Sequence, residues 1–346
     1  MEGFNLAIVG ATGVVGQEFI KILEQRDFPV ASMRLLASGR SLGSSLFFNH
    51  QEVEVQEAVP GNFRGVDIVL LSAGADVSRR LSPLAVREGA VVIDNSSAFR
   101  MEPWVPLIIP EVNPEDIEWH QGIIANPNCS TIQLVVALYP LHKVNRIKRV
   151  IISTYQSVSG TGATATKELT SQARAILEGR RVCPHIYSHQ LAFNVLPEID
   201  VFLDSGYTKE ELKMLEETRK IMHDPDMAIS ATCVRVPVYF GHSEAVNVEF
   251  TSSISAGEAR KILAQAPGVR VLDEPSVSFY PHPWAASGSN HVFVGRIRKD
   301  ISHPNGLVMW IVADNIRKGA ALNVVQIAEE GIRRGWFTPK GCKSAN

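Results

Sequence analysis

Phe4 to Val9 reads as a buried β-strand, and Gly10-Ala11-Thr12-Gly13-Val14-Val15-Gly16 follows it with no spacer. Behind the glycines, Val14, Phe19, Ile22 and Leu23 recur at helical spacing. Strand, glycine turn and helix in direct succession narrow the fold sharply, because a helix that leaves a strand this way normally returns the chain to a parallel neighbour. Apolar runs recur at residues 34–37, 67–72 and 90–94, with a predicted helix over 77–88 between the last two. The alternation predicts an α/β unit whose parallel sheet is covered by helices.

The pattern changes after residue 140. Val246, Val248 and Phe250 alternate with Asn247, Glu249 and Thr251, as in an antiparallel strand with one polar face. With 346 residues the chain exceeds one ordinary core, so two domains are expected. Residues 307–313 form another apolar strand, and Ile316, Ala320, Val324, Ile327 and Ala328 mark a last helix predicted to pack on the first domain. The stretches 157–162 and 282–289 read as site-forming loops.

Glycines spaced as in Gly10-x-x-Gly13-x-x-Gly16 permit a tight turn and close backbone approach, leaving the helix N-terminus to hold a pyrophosphate. Its place straight after the first strand favours a dinucleotide over a plain strand–helix turn. An NAD site would put Asp or Glu at the end of the second strand to bond the ribose hydroxyls. Here the chain reads Leu36-Ala37-Ser38-Gly39-Arg40-Ser41, without a carboxylate. Arg40 with Ser38 and Ser41 suits a 2′-phosphate, so NADP is expected, against the plainer reading of Arg40 as a solvated loop cation.

Asn126-Pro127-Asn128-Cys129-Ser130-Thr131 sets one thiol at the start of the apolar run 132–141. Asn-Pro forces a turn, Asn128 is a good N-cap, and first-turn N–H groups favour an anionic sulfur. Such placement lowers a cysteine pKa from about 8.5 into the range of about 3.5–7.5. A lone cysteine there is more often a small buried residue. Beside a dinucleotide motif, however, a reactive thiol suggests acyl chemistry: sulfur adds to an aldehyde, hydride leaves, and a thioester awaits a second nucleophile. That scheme needs a base. His242 is the best placed of ten histidines, at the glycine turn that ends Arg235-Val236-Pro237-Val238-Tyr239-Phe240-Gly241-His242, although a structural role is the commoner one for such a residue alone.

Cys129, Cys183, Cys233 and Cys342 are far apart and form no C-x-x-C pair, which indicates neither a disulfide framework nor a zinc knuckle. Cys183, His185 and His189 lack a fourth convergent ligand and flank Pro184, so no metal is expected. A formal charge of −2 gives a polyelectrolyte no reason to bind, and nucleic acid is not an expected partner. With no basic leader and no bilayer-length apolar stretch, the expected location is cytoplasmic, without a membrane.

Eight segments occur in one order: Gly10 to Gly16, Asp94-Asn95-Ser96-Ser97-Ala98-Phe99-Arg100, Asn126 to Thr131, Gln156-Ser157-Val158-Ser159-Gly160, residues 191–198, Glu217-Thr218-Arg219-Lys220, Arg235 to His242, and residues 313–321. Together they resemble bacterial-type aspartate-semialdehyde dehydrogenases over essentially the whole chain. The resemblance implies an α/β fold with a Rossmann-like parallel-sheet NADP-binding domain (1–129 and 315–346). It also implies an α+β catalytic and dimerisation domain (130–314) with a largely antiparallel sheet. Cys129 would be the nucleophile, His242 the general acid/base, and Gln156 the residue that orients substrate. Arg100 and Lys220 would bind phosphate, Arg235 the α-carboxylate in a bidentate fork, and Glu217 the ammonium, with Asn128 also at the substrate. Cofactor contacts would fall on Gly10, Thr12, Gly13, Val14, Val15, Gly16, Ser38, Arg40 and Ser41, and at the nicotinamide end on Ser159, Gly160 and Asn315. Without the resemblance, Glu217 and Lys220 read as an ordinary i, i+3 surface pair.

The implied reaction is reversible reduction of L-4-aspartyl phosphate by NADPH to L-aspartate 4-semialdehyde and inorganic phosphate, in a homodimer serving lysine, methionine, threonine and isoleucine biosynthesis. One rival is N-acetyl-glutamyl-phosphate reductase, whose acetylated substrate has no ammonium for Glu217. Another is a non-catalytic dinucleotide-binding paralogue, which would be expected to lose Cys129 or His242. Residues 47–50 and 183–189 carry no recognised functional motif.

Overall fold

The computed structural model describes residues 3–339, so Cys342 lies outside the described residues. The chain divides into two compact units, residues 1–127 with 320–346, and residues 128–319.

In the first unit, β1 (Phe4–Val9) turns into α1 (Val14–Gln25), followed by β2 (Val30–Ala37), β3 (Ser45–Phe48), β4 (Gln51–Glu57), β5 (Ile68–Leu71), α2 (Ala75–Arg87), β6 (Val91–Asp94) and β7 (Ile123–Ala125). The sheet order is β3-β4-β2-β1-β5-β6-β7. All pairs are parallel except β3 with β4. Leu6, Ala7, Ile8 and Val9 are all buried, which explains a run with no alternation: both faces of this strand are covered. Gly10 has φ +83°, and a Cβ there would lie 2.2 Å from the Ser72 carbonyl oxygen. A Cβ on Gly16 would lie 2.2 Å from the Gly10 oxygen, so chain packing alone demands glycine at both positions.

The motif-free segment at 47–50 is a hairpin. Phe48 pairs with Gln51, and Asn49 and His50 between them take φ of 47° and 64°, as a two-residue type I′ connection requires. The last helix, α8 (Leu322–Arg333), packs on α1 within this unit, where Val324, Val325, Ile327 and Ala328 share a core with Phe19, Ile22 and Leu23. It does not begin as a regular helix: residues 317–321 form a π turn, with the Gly319 N–H bonded to the Asp314 carbonyl at 3.0 Å.

The second unit contains α3 (Cys129–Val144), β8 (Ile147–Gln156), α4 (Ala163–Leu177), α5 (Lys209–Met222), β9 (Ala228–Arg235), β10 (His242–Phe250), α6 (Ala256–Gln265), β11 (Val269–Val271), α7 (Pro283–Ala286), β12 (Val292–Lys299) and β13 (Gly306–Ala313). Its sheet order is β11-β12-β13-β10-β8-β9. The three central pairs are antiparallel and the two outer ones parallel. Every residue of α3 from Ser130 to Leu138 is buried, the expected condition of a helix that is apolar nearly all round. Antiparallel pairing puts the end of β8, the start of β10 and the end of β13 at one edge, and the end of β9 joins them through its parallel register with β8.

Candidate active site

Cys129 is the first residue of α3 and is half-buried. Asn128 caps the helix: its Oδ1 accepts from the N–H groups of Ser130 (2.9 Å) and Thr131 (3.3 Å). The cap is itself held from α5. The main-chain N–H of Asn128 donates to Glu217 Oε2 at 2.6 Å, and its Nδ2 donates to Glu210 Oε1 at 2.8 Å. Gln156 Nε2 donates to the same Glu210 oxygen at 3.2 Å, and Lys213 Nζ to Oε2 at 3.1 Å. Burial pushes the Glu210 carboxyl upward, but the Lys213 charge and the bonds from Asn128, Lys213 and Gln156 bring it net below its ordinary value. An ionised buried carboxylate therefore joins the nucleophile's helix cap to Gln156.

Glu217 is 1% exposed, which rules out the surface-pair reading, and Lys220 follows it half-buried one turn later. Neither Glu210 nor Lys213 is marked in the sequence as a site residue. The available signal is the i, i+3, i+7 spacing of Glu210, Lys213 and Glu217 in a helix that opens with the Thr208–Glu211 capping box.

At the sheet edge, His242 is fully buried. The main-chain N–H of Ser157 donates to its Nδ1 at 3.0 Å, and Ser157 Oγ lies 3.1 Å from the same atom. An amide N–H only donates, so Nδ1 is the acceptor and the neutral ring carries its proton on Nε2. Nε2 finds no partner among the described residues and lies 3.5 Å from where a Cβ on Gly160 would stand. Burial first, and the Arg235 charge second, hold the imidazolium well below its usual range, with the Gly241 main chain opposing them.

Arg235 closes β9 opposite Gln156. Its Nη1 donates to the Ser157 carbonyl at 2.6 Å and lies 3.5 Å from the same Gly160 position, and its guanidinium sits 5.9 Å from the Tyr187 ring centre. Tyr187 falls in the stretch with no recognised motif. Asn315 Oδ1 accepts from the Gly241 N–H (2.9 Å) and Ser157 Oγ (3.1 Å), and its Nδ2 donates to Ser159 Oγ at 3.0 Å. Gln156, Ser157, Ser159, Gly160, Arg235, His242 and Asn315 thus form one cluster, joined through Glu210 to the cap of Cys129.

The other thiols differ. Cys183 is exposed, and Cys233 is buried with its thiol pushed upward by burial and by Glu210, so it is kept protonated. The loop around Cys183 is held by Glu168, whose Oε2 accepts from the N–H groups of His185 and Ile186. Among the described residues no group of three His, Cys, Asp or Glu side chains is placed to hold a metal ion.

In the first unit, the N-cap Gly13 gives α1 no side-chain cap, the arrangement that suits a phosphate at a helix start. Thr12 Oγ1 and Ser41 Oγ lie 3.1 Å apart, which brings the loop of Ser38, Arg40 and Ser41 to the glycine turn, with Arg40 exposed. One carboxylate does stand nearby: Glu57 pairs with Ala37 across the sheet, and its Oε1 is 3.6 Å from a Cβ position on Gly39. Arg100, 8% exposed, donates from Nη2 to the Asn95 carbonyl at 3.0 Å.

Residues 5–120 match the family described as semialdehyde dehydrogenase, NAD binding domain, and residues 138–318 match semialdehyde dehydrogenase, dimerisation domain. The aspartate-semialdehyde dehydrogenase of Aquifex aeolicus is 55% identical over 96% of this chain and 99% of its own length. The structure of aspartate semialdehyde dehydrogenase II complexed with ASA, from Vibrio cholerae, has a TM-score of 0.94 at 47% identity, covering 96% of this chain and 99% of that one. The Candida albicans aspartate semialdehyde dehydrogenase structure with NADP has a TM-score of 0.76 at 27% identity, covering 96% of this chain and 100% of that one. The α/β fold, the mixed second sheet and the ordered motifs meet here in one conclusion: the chain belongs to the aspartate-semialdehyde dehydrogenase family.

Proposed function

We propose that this protein reduces L-4-aspartyl phosphate to L-aspartate 4-semialdehyde, reversibly, through a thioester on Cys129. The Cys129 thiolate attacks the acyl carbon, a C–S bond forms, and the C–O bond to phosphate breaks. NADPH, when bound, supplies the hydride that converts the thioester to a thiohemiacetal, which collapses to aldehyde and thiolate. His242 faces the acyl oxygen with Nε2, the nitrogen through which it bonds that oxygen and serves as acid and base. Gln156 orients the acyl group, Arg235 takes the α-carboxylate, and Glu217 with Asn128 takes the ammonium end. Arg100 and Lys220 keep the phosphate-binding role that the resemblance gives them, since a desolvated phosphate needs cations.

NADP is the proposed cofactor, held by residues 10–16 with Ser38, Arg40 and Ser41, and at its nicotinamide end by Ser159, Gly160 and Asn315. The dimerisation-domain match supports a homodimer. Cytoplasmic biosynthesis of lysine, methionine, threonine and isoleucine is the proposed setting. Among the described residues no helix is long and apolar enough to cross a membrane.

The observation that carries this reading is the Glu210 carboxylate shared by Asn128 and Gln156, which fixes the helix start bearing the thiol against the residue assigned to orient substrate. The test is to mix the enzyme with aspartate semialdehyde and NADP in the absence of phosphate and look for an acyl adduct on Cys129 by mass spectrometry. Formation of NADPH without any adduct rejects the thioester. Activity confined to N-acetyl-glutamate semialdehyde, or to neither aldehyde, rejects the substrate in favour of one rival or the other.

A further inference from the structure

Glu244 follows His242 by two residues on the same face of β10, is fully buried, and has no part in the chemistry above. Gln133, also fully buried, follows Cys129 by one turn of α3. Thr154 and Cys233 stand two residues before Gln156 and Arg235 on β8 and β9, and both are buried. A polar layer therefore lies directly behind the residues that bear the reaction.

The Gln133 carboxamide approaches the Glu244 carboxyl, yet among the described residues neither oxygen of Glu244 and neither polar atom of Gln133 completes a hydrogen bond of good geometry. Among the described residues no cation answers the carboxyl. Its neighbours across the sheet are Thr154 on β8 and Ile311 on β13, α3 supplies Gln133, and β9 supplies the protonated Cys233 beyond Thr154. A carboxylate buried without cation or donor costs more than taking up a proton. Burial accordingly drives this carboxyl well above its ordinary range.

A carboxylic acid and a primary amide have complementary edges: the acid O–H donates to the amide oxygen, and an amide N–H donates to the acid carbonyl. That arrangement uses the four polar atoms left over. We propose that Glu244 is a neutral carboxylic acid paired with Gln133 by two hydrogen bonds, and that this pair sets the spacing between the helix start carrying Cys129 and the strand start carrying His242. Glu244 is then a positioning residue. The proposal rests on the reading of Cys129 and His242 as the reacting pair.

Infrared difference spectra of the full-length protein at neutral pH, wild type minus Glu244→Gln, should show the carbonyl band of a protonated acid. Glu244→Gln keeps an edge that pairs with Gln133 and should hold kcat within about threefold, whereas Glu244→Leu should lower it about tenfold or more with KM little changed. The exchanged variant Gln133→Glu with Glu244→Gln restores one acid and one amide, so it should recover most of the loss seen in Gln133→Leu. Absence of the acid band overturns the neutral pair, and wild-type kcat in Glu244→Leu overturns its positioning role. If Glu244→Leu does not fold, the spectrum and the exchanged variant still decide. Adduct formation at Cys129 is scored separately: wild type without an adduct sinks the thioester and leaves the infrared assignment standing, while a normal adduct with unchanged kcat in Glu244→Leu sinks only the positioning role.

Discussion

The main chain of Ser157 fixes the state of His242: its N–H meets Nδ1 at 3.0 Å, and its carbonyl is held at 2.6 Å by Arg235. The ring is therefore neutral with hydrogen on Nε2, and its tautomer is set by backbone rather than by a partner carboxylate. His242→Asn should slow turnover by about 10²–10⁴, the usual worth of acid–base assistance, as steady-state kinetics will show.

The same burial has a consequence for stability. The folded ring resists its proton, burial being the larger cause and Arg235 the smaller, while the unfolded chain takes one near pH 6.5 or so. Below that pH the unfolded state binds the extra proton, so this residue's contribution falls as pH drops and is complete above it. The stability of wild type relative to His242→Asn should decline between about pH 8 and about pH 5.5 in urea unfolding. A difference that stays flat or grows toward acid would contradict a neutral buried ring.

Asn128 caps α3 while both its own donors are held by Glu217 and Glu210. Asn128→Ala should cost about 1 kcal/mol for the cap, and more where Glu210 loses a buried donor. The cap also orients the first-turn N–H groups that favour a thiolate. The pH midpoint for alkylation of Cys129 should therefore rise in the variant, and an unmoved midpoint would separate the cap from the thiol's reactivity.

These relationships show where sequence pattern suffices. Residues 4–16 were legible because the apolar strand, the glycines and the helical spacing are all local, and Cys129 was legible because Asn-Pro-Asn is a helix-start signal. The contribution of Ser157 to His242 is made by main chain, which leaves no mark on residue type. Glu210 and Glu217 look like solvated charges on a charged helix, and only packing against Asn128 reveals them as buried. Glu57 was invisible for another reason. An acid that bonds the ribose hydroxyls of NAD stands at the end of β2, whereas this one arrives from the neighbouring strand.

That acid gives the cofactor assignment two opposed tests. Arg40 should attract a 2′-phosphate, and Glu57, close to Gly39, should repel it. Arg40→Ala should raise KM for NADP about tenfold, the scale of a charge-assisted bond, with little change for NAD, and Glu57→Gln should lower it. Equal effects on the two cofactors would remove Arg40 from phosphate recognition.

Gly319 tests how tightly the nucleophile is housed. It lies in the π turn before α8, and a Cβ on it would come within 3.0 Å of the Cys129 Cβ and 3.4 Å of its Cα. The thiol's backbone cannot retreat easily, because Asn128 before it is bonded to Glu210 and Glu217. Gly319→Ala should therefore displace the sulfur by a few tenths of an ångström rather than unfold the protein, and misplacements of this kind are costly to a reaction that depends on alignment. Turnover should fall about tenfold or more while urea unfolding changes by less than about 2 kcal/mol, within the usual range for a single substitution. Unchanged turnover in a folded variant would mean that the space beside Cys129 is not what aligns it.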